Sequence, residues 1–404
     1  MLASCGSAAS GDNEKQAATG APSATPTATA TTAPQEAPFT VETVASFEEP
    51  WAMAIDPATR IAIITEKAGT IRLFLPDGTK GEVTGVPKVD YGGQGGLGDV
   101  VLAPQPDWKA PANGSLDGRT AYISWAEAGD NDTRGAAVGM ATLKCSAPAA
   151  CTLDGLKVIW RQTPKVTGRG HYSHRIAFSP DAKYLFISSG ERQKMEPAQD
   201  ITNNLGTIVR LLPDGTPAPG NPFADKPAPT NQIWSYGHRN VLGLAFDAQG
   251  HLWDLEHGPA GGDEINLVTP GANYGWPLVS DGDHYDGKPI PRNSTRPDLA
   301  GPAISWNPVI APGDFIFYSG NKYTGLSGKA VITSFSVPGL VVVSLDANNS
   351  PDTGNPTAKA TEEARYPLDN RIREIEEDPD GTIWLLEDGP APDTGRLLKL
   401  TPKS

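Results

Sequence analysis

The sequence predicts an all-β protein: a six-bladed β-propeller with four-stranded antiparallel blades, preceded by a disordered N-terminal tether. Three observations carry that prediction. The 404 residues include 44 glycines and 38 prolines, a load that breaks long helices, since glycine adds backbone entropy and proline removes a donor and clashes with the preceding turn. Short apolar runs recur on either side of Pro-Asp, Asp-Pro or Asp-Gly turns and read as strand, turn, strand: AMAIDPATRIAIITE at 52–66, RIAFSPDAKYLFISSG at 175–190, LGLAFDAQGHLWDLEHG at 242–258 and REIEEDPDGTIWLLEDG at 373–389. IRLFLPDGTK at 71–80 has a close partner in IVRLLPDGTP at 208–217, and repetition at a scale of tens of residues marks a solenoid or propeller. The 366 residues after position 38, shared among six units, give about 61 each, room for a four-stranded blade and its loops. Seven or eight units leave too little for the long segments at 104–120 and 278–310.

Along the chain, the first element is Leu2-Ala3-Ser4-Cys5, a lipobox-like tetrad in which Cys5 is the expected lipidation site once a leader has been removed. Gly6 to Pro38 is almost entirely Ala, Thr, Ser, Pro, Gly and Gln, with too little apolar surface to fold. Residues 1–38 are therefore expected to be a tether and 39–404 a propeller domain. Cys145 and Cys151 flank CSAPAAC with no histidine nearby to complete a metal site, so a small-loop disulfide is favoured over two reduced thiols. Anchor and disulfide together place the protein outside the cytoplasm, in a bacterial periplasm or cell envelope.

Lys and Arg number 33 against 47 Asp and Glu, a net charge of −14. That balance argues against nucleic acid as a partner, because such binding rests on cations neutralising phosphates. No run approaches the roughly 18 apolar residues that span a bilayer, so membrane contact is expected only through the lipid.

Four segments carry candidate chemistry. His171 lies in TGRGHYSHR (167–175), just ahead of an expected strand, where a near-neutral pKa suits a general base. GHRN (237–240) sets the fork of Arg239 beside the amide of Asn240, a pair suited to carboxylate or quinone-like oxygens. EHGPAGGDEIN (256–266) offers carbonyls and carboxylates, hard ligands for calcium, although without the spacing of an EF-hand. NRIR (370–373) places Arg371 and Arg373 on one face of a strand, able to bind a polyanion. No phosphate-binding glycine loop, GxSxG elbow or HExxH motif is present.

In this order, the motifs resemble the glucose/sorbosone dehydrogenase family, soluble quinoprotein aldose sugar dehydrogenases that use pyrroloquinoline quinone (PQQ). The matching runs are PWAMA (50–54), GQGGLGDV (93–100), GHYSHRIAFSPD (170–181), AQDITNNLGTIVRLLPDGTPAPGNPF (198–223), YGHRN (236–240), HGPAGGDEINLVTPGANYGWP (257–277) and NRIREI (370–375), spread over essentially the whole body. The resemblance implies oxidation of an aldose at the anomeric carbon to the lactone, with PQQ over the channel mouth and an external electron acceptor. Carried over by position, His171 is the base, Glu191 a helper carboxylate and Gln94 a substrate contact. Arg239 and Asn240 hold the cofactor, Arg239 also stabilising negative charge on the reduced quinone, while Arg371 and Arg373 hold PQQ carboxylates. The carbonyls of Gly258 and Pro259 match a calcium site at the cofactor; Glu264 and the Tyr274 carbonyl match a second, structural one. Ser336, in TSFSVPG (333–339), stands where family members carry a lysine, and Ala260 where an arginine is common. Loss of that lysine motivates an alternative reading, a non-catalytic sugar- or glycan-binding propeller.

Overall fold

The structure is a computed structural model that describes residues 32–347, 358–389 and 394–403. Cys5 and most of the expected tether lie outside the described residues. The strands, in chain order, are β1 (Phe39–Phe47), β2 (Pro50–Ile55), β3 (Ala62–Glu66), β4 (Thr70–Phe74), β5 (Lys80–Thr84), β6 (Leu97–Leu102), β7 (Thr120–Ala128), β8 (Arg134–Ala147), β9 (Ala150–Arg161), β10 (Ser173–Phe178), β11 (Leu185–Ser189) and β12 (Thr207–Leu211). They continue with β13 (Ile233–Tyr236), β14 (Val241–Phe246), β15 (Leu252–Glu256), β16 (Asp263–Leu267), β17 (Ile304–Trp306), β18 (Pro312–Phe317), β19 (Ala330–Ser334), β20 (Gly339–Asp346), β21 (Lys359–Pro367), β22 (Ile372–Glu377), β23 (Ile383–Glu387) and β24 (Gly395–Pro402).

Strands β10–β13, β14–β17 and β18–β21 each form a four-stranded antiparallel sheet in chain order. A fourth such sheet, β22-β23-β24, is completed by β1, which pairs with β24 from Phe39↔Pro402 to Phe47↔Gly395. The runs β2–β5 and β6–β9 are likewise antiparallel, and a short parallel pairing of β5 with β9, from Glu82↔Ala150 to Thr84↔Thr152, joins them into one eight-stranded sheet. The first strands of successive runs touch in a closed ring: β2 meets β6, β6 meets β10, and so on through β14, β18 and β22 back to β2.

This packing explains why the sequence shows continuous apolar runs more than clean alternation. A sheet flanked on both faces by neighbouring sheets buries both faces of its middle strands. Every residue of β3, β11, β12, β15, β16 and β19 is buried. Between β14–β17 and β18–β21 the filling is Trp253, Trp306, Phe315, Ile332 and Val341.

Two features position the site. Each first strand shifts register against its second near its start: at Pro50/Ala52, Leu97/Val100, Ser173/Ile176, Val241/Gly243, Pro312/Phe315 and Ile372/Glu374. Such a bulge bends the strand and re-aims its side chains. Below these bulges the ring is filled by charge, with Arg175 of β10 reaching Asp99 of β6 at 3.4 Å, Asp314 of β18 at 3.7 Å and Glu374 of β22 at 2.8 Å. Because β10 and β22 are not neighbours in the ring, the last contact crosses its axis.

The hairpin β8–β9 carries the expected Cys145–Cys151 disulfide, with an S–S distance of 2.01 Å, at its strand-turn-strand tip. The chain also meets the body before residue 39. The Thr32 amide donates to Glu362 Oε1 at 2.8 Å, and the Gln35 amide donates to the Arg365 carbonyl at 2.9 Å.

Candidate active site

A cavity of about 350 Å³ opens where the first strands begin. Its lining includes Gln94, His171, Arg239, Asn240, Arg371 and Arg373, so six of the expected residues, separated by up to 279 positions, meet in one place. A larger hollow of about 610 Å³ lies at the other end of the same strands, walled mainly by apolar residues such as Val100, Val101, Leu102 and Pro104. None of the expected residues lines it.

His171 sits on a loop whose backbone is left-handed at His171 (φ 47°), Ser173 (57°) and His174 (66°), an uncommon conformation for non-glycine residues that marks a functional loop. The His171 amide donates to Gln94 Oε1 at 2.6 Å, and Nδ1 pairs with Glu191 Oε1. Glu191 is fully buried; its other oxygen, Oε2, accepts the backbone amides of Lys194 at 2.5 Å and Met195 at 2.6 Å. Burial works against ionisation of Glu191, but His171 and the Met195 amide outweigh it and hold the pKa below the usual carboxylate value. Burial, reinforced by the Arg239 charge and only partly countered by Glu191, holds the His171 pKa below 6.5. At neutral pH the pair is therefore a carboxylate and a neutral imidazole, with Nδ1–H donated to Glu191 and the Nε2 lone pair left for the cavity.

Arg239 is positioned by its backbone: its amide and that of Asn240 both donate to Glu256 Oε2, at 2.7 and 3.2 Å. Its guanidinium donates to the His257 carbonyl at 3.0 Å and the Tyr285 hydroxyl at 3.3 Å, while Nε is buried without a hydrogen-bond partner. Arg371 and Arg373 share Asp388, at 2.8 Å each, and both guanidiniums lie 4.4 Å from the Phe335 ring centre. Burial opposes ionisation of Asp388, yet Arg373 and Arg371 hold its pKa below the ordinary value.

Other expected residues fall elsewhere. Ser336 does not line the cavity: its hydroxyl donates to the Val309 carbonyl at 2.7 Å, and Phe335 faces the arginines instead. Ser336 thus gives up its expected place at the cofactor because the end of β19 turns the preceding aromatic inward. Gly258 and Pro259 are buried directly behind His257, which does line the cavity. The Gly258 amide donates to Asp263 Oδ1 at 2.9 Å, and a Cβ there would fall 2.2 Å from the Gly262 carbonyl, so only glycine allows this close turn. Glu264 accepts from Asn293 Nδ2 at 2.8 Å; burial, with Glu256 and Asp281 adding repulsion, pushes its pKa well above the ordinary value. Tyr274 stacks on His238, 4.5 Å between centres. Among the described residues one group of three side chains has its metal-ligating atoms within 4.8 Å of one another: His238, Asp254 and Glu256. This is not the expected calcium set. It is a histidine bridged to two carboxylates, with Glu256 Oε1 at 3.1 Å and Asp254 Oδ2 at 3.4 Å.

Sequence reasoning missed several lining residues: Glu49, Trp51, Lys67, Tyr285, Phe335 and Asp388. Trp51 and Asp388 lie inside motifs already singled out, at PWAMA and WLLED. Tyr285, 78% exposed, comes from the long 278–310 segment, where no local pattern marks it.

The glucose/sorbosone dehydrogenase family model matches residues 47–399. The chain is 34% identical over 365 residues to the aldose sugar dehydrogenase YliI of Escherichia coli, covering 88% of this chain and 91% of that one. It superposes on the apo-form crystal structure of the soluble aldose sugar dehydrogenase from Escherichia coli with a TM-score of 0.79 at 33% identity, covering 90% of this chain and all of the other. The PQQ-bound form of the aldose sugar dehydrogenase from Streptomyces coelicolor matches with a TM-score of 0.67 at 27% identity, covering 91% and 99%. A family match over most of the body, carried by the same segments that converge on the cavity, makes this chain a member of the glucose/sorbosone dehydrogenase family.

Proposed function

We propose that the protein oxidises aldose sugars at the anomeric carbon to lactones, using PQQ and calcium, on a six-bladed propeller. The six-blade reading is supported by six runs of four strands and the closed ring of their first strands. The carrying observation for function is the convergence of a carboxylate-held neutral histidine with three arginines and an asparagine in one cavity. The residues fit a planar, tricarboxylate quinone. Arg371 and Arg373 supply cations, Trp51, Tyr285 and Phe335 supply aromatic surface, and the buried Arg239 Nε has a hydrogen bond still to give. For calcium, the Gly258–Pro259 turn and the buried Glu264 offer hard oxygens, and a cation beside Glu264 relieves the repulsion from Glu256 and Asp281.

When bound, PQQ supplies a two-electron acceptor and calcium a Lewis acid. The protein supplies the rest. His171 Nε2 takes the proton of the sugar hydroxyl, and Glu191 fixes the tautomer and stabilises the resulting imidazolium. Gln94, held through Oε1 by the His171 amide, keeps its NH₂ for a sugar oxygen. Tyr285 and Trp51 narrow the space for water. The disulfide and the Cys5 tetrad support an extracytoplasmic, lipid-anchored protein that passes electrons to an external acceptor.

The test is dye reduction by purified apo-protein with a panel of aldoses, with and without PQQ and calcium. Sugar-dependent reduction that needs both, and is lost on chelation and restored by calcium, supports the reading. No sugar reducing dye above the PQQ-free control refutes it.

A further inference from the structure

Resting on the reading above and deepening it, we infer that Lys67 is a cofactor-binding residue, pairing with an anionic oxygen of the bound quinone beside Arg371 and Arg373. Lys67 opens the turn from β3 to β4, and its backbone is fixed: its amide donates to the Glu49 carbonyl at 3.1 Å and its carbonyl accepts the Leu97 amide at 2.9 Å. A Cβ on Gly96 would fall 2.3 Å from that same carbonyl, so the glycine-rich segment closes directly over it. The side chain then lines the cavity with 18% of its surface exposed.

The other cavity cations already hold protein partners and keep donors in reserve: Arg371 and Arg373 share Asp388, and Arg239 donates to the His257 carbonyl and the Tyr285 hydroxyl. The Lys67 ammonium, among the described residues, meets the Gly93 carbonyl at 3.3 Å, Glu49 Oε1 at 4.0 Å and the Tyr91 ring at 5.9 Å. An ammonium has three donors, and one long hydrogen bond leaves this partly desolvated cation under-satisfied. Its charge also reaches Asp388, where it joins the two arginines in holding that carboxylate ionised. Lys67 thus belongs to the same cationic wall as Arg371 and Arg373. Aldoses are uncharged, so the anion this wall receives comes from the cofactor.

The experiment is an absorbance titration of calcium-loaded apo-protein with PQQ, without sugar, for wild type, Lys67→Met and Lys67→Arg, with circular dichroism and melting curves confirming that each variant folds. Loss of one charge-assisted contact predicts about tenfold or weaker PQQ binding for Lys67→Met, with much of it recovered in Lys67→Arg. Wild-type affinity in a folded Lys67→Met overturns the inference. So does unchanged affinity with a raised KM for sugar, which moves Lys67 to the substrate. Wild type that fails to bind PQQ overturns the proposed function and this inference together, whereas a failure confined to the variants overturns only the role of Lys67.

Discussion

Replacing Glu191 by glutamine tests the proton-transfer geometry with almost no change in volume. The carboxylate serves two clients at once: His171 Nδ1 on Oε1, and the Lys194 and Met195 amides on Oε2. Glutamine has one acceptor oxygen. With that oxygen on the two amides, its NH₂ faces Nδ1, which must then accept, and the imidazole proton moves to Nε2, where the lone pair is needed. With the oxygen on Nδ1, the NH₂ confronts two backbone donors. Either arrangement forfeits about one hydrogen bond to a charged group, roughly 1.5–3 kcal/mol, which corresponds to a loss of about ten- to a hundredfold in kcat/KM. The pH profile gives a second handle. Burial lowers the His171 pKa and Glu191 opposes that lowering, so removing the carboxylate shifts the acid limb of kcat/KM to lower pH. The assay is sugar-dependent dye reduction with PQQ and calcium over roughly pH 5–9, where an unperturbed histidine titrates, with His171→Ala, expected to lose about 10²–10⁴-fold, as the reference. A Glu191→Gln enzyme with wild-type kcat/KM and an unmoved acid limb would refute the idea that this carboxylate sets the base.

Arg373→Ala leaves Asp388 with Arg371 and the more distant Lys67 and removes a half-buried cavity cation; on the proposed reading, PQQ affinity in the absorbance titration should fall about tenfold or more, and no change would remove Arg373 from the cofactor site. Burial, with Asp314 and Asp99 adding repulsion, pushes the Glu376 pKa up from 4.5 to about 8. The folded state therefore binds more protons than the unfolded one between those values, and stability falls as pH rises through that window. In melting curves Glu376→Gln should flatten the fall, and an unchanged slope would contradict the assignment. Reducing the disulfide, or replacing both cysteines by serine, opens a link of sequence separation 6 and should cost about 2 kcal/mol of stability. Neither cysteine lines the cavity, so kcat/KM should hold; a large fall in activity of still-folded protein would show that the hairpin supports the site.

Much of the fold was legible because turn chemistry and apolar runs are local. AMAIDPATRIAIITE is β2, turn and β3; RIAFSPDAKYLFISSG is β10 and β11; REIEEDPDGTIWLLEDG is β22 and β23. What was not legible is pairing at long range. Nothing in FTVETVASF names its partner in β24, and nothing near Lys80 announces the parallel β5–β9 contact. The site follows the same division. His171, Arg239 and Arg371 stand out because their short motifs are unusual, whereas Asp388, Phe335 and Tyr285 are ordinary residues that acquire meaning from what faces them across the ring. Ser336 shows the limit of transfer by position: one step along the chain exchanges a hydroxyl for an aromatic ring.

The pairing of β1 with β24 also governs biogenesis. β1 is the first described strand to leave the ribosome and its partner is the last, so the ring cannot close on a nascent chain. Until β24 arrives, β22 and β23 form an incomplete sheet and β1 is an unpaired edge, the kind of surface that recruits other chains. Closure over nearly the whole length of the body is also slow, because the loop entropy must be surrendered before the contact rewards it. A polypeptide built this way keeps an open edge at both ends of the body until its last strand is made, so truncation within β24 should leave β1 unpaired and the ring open.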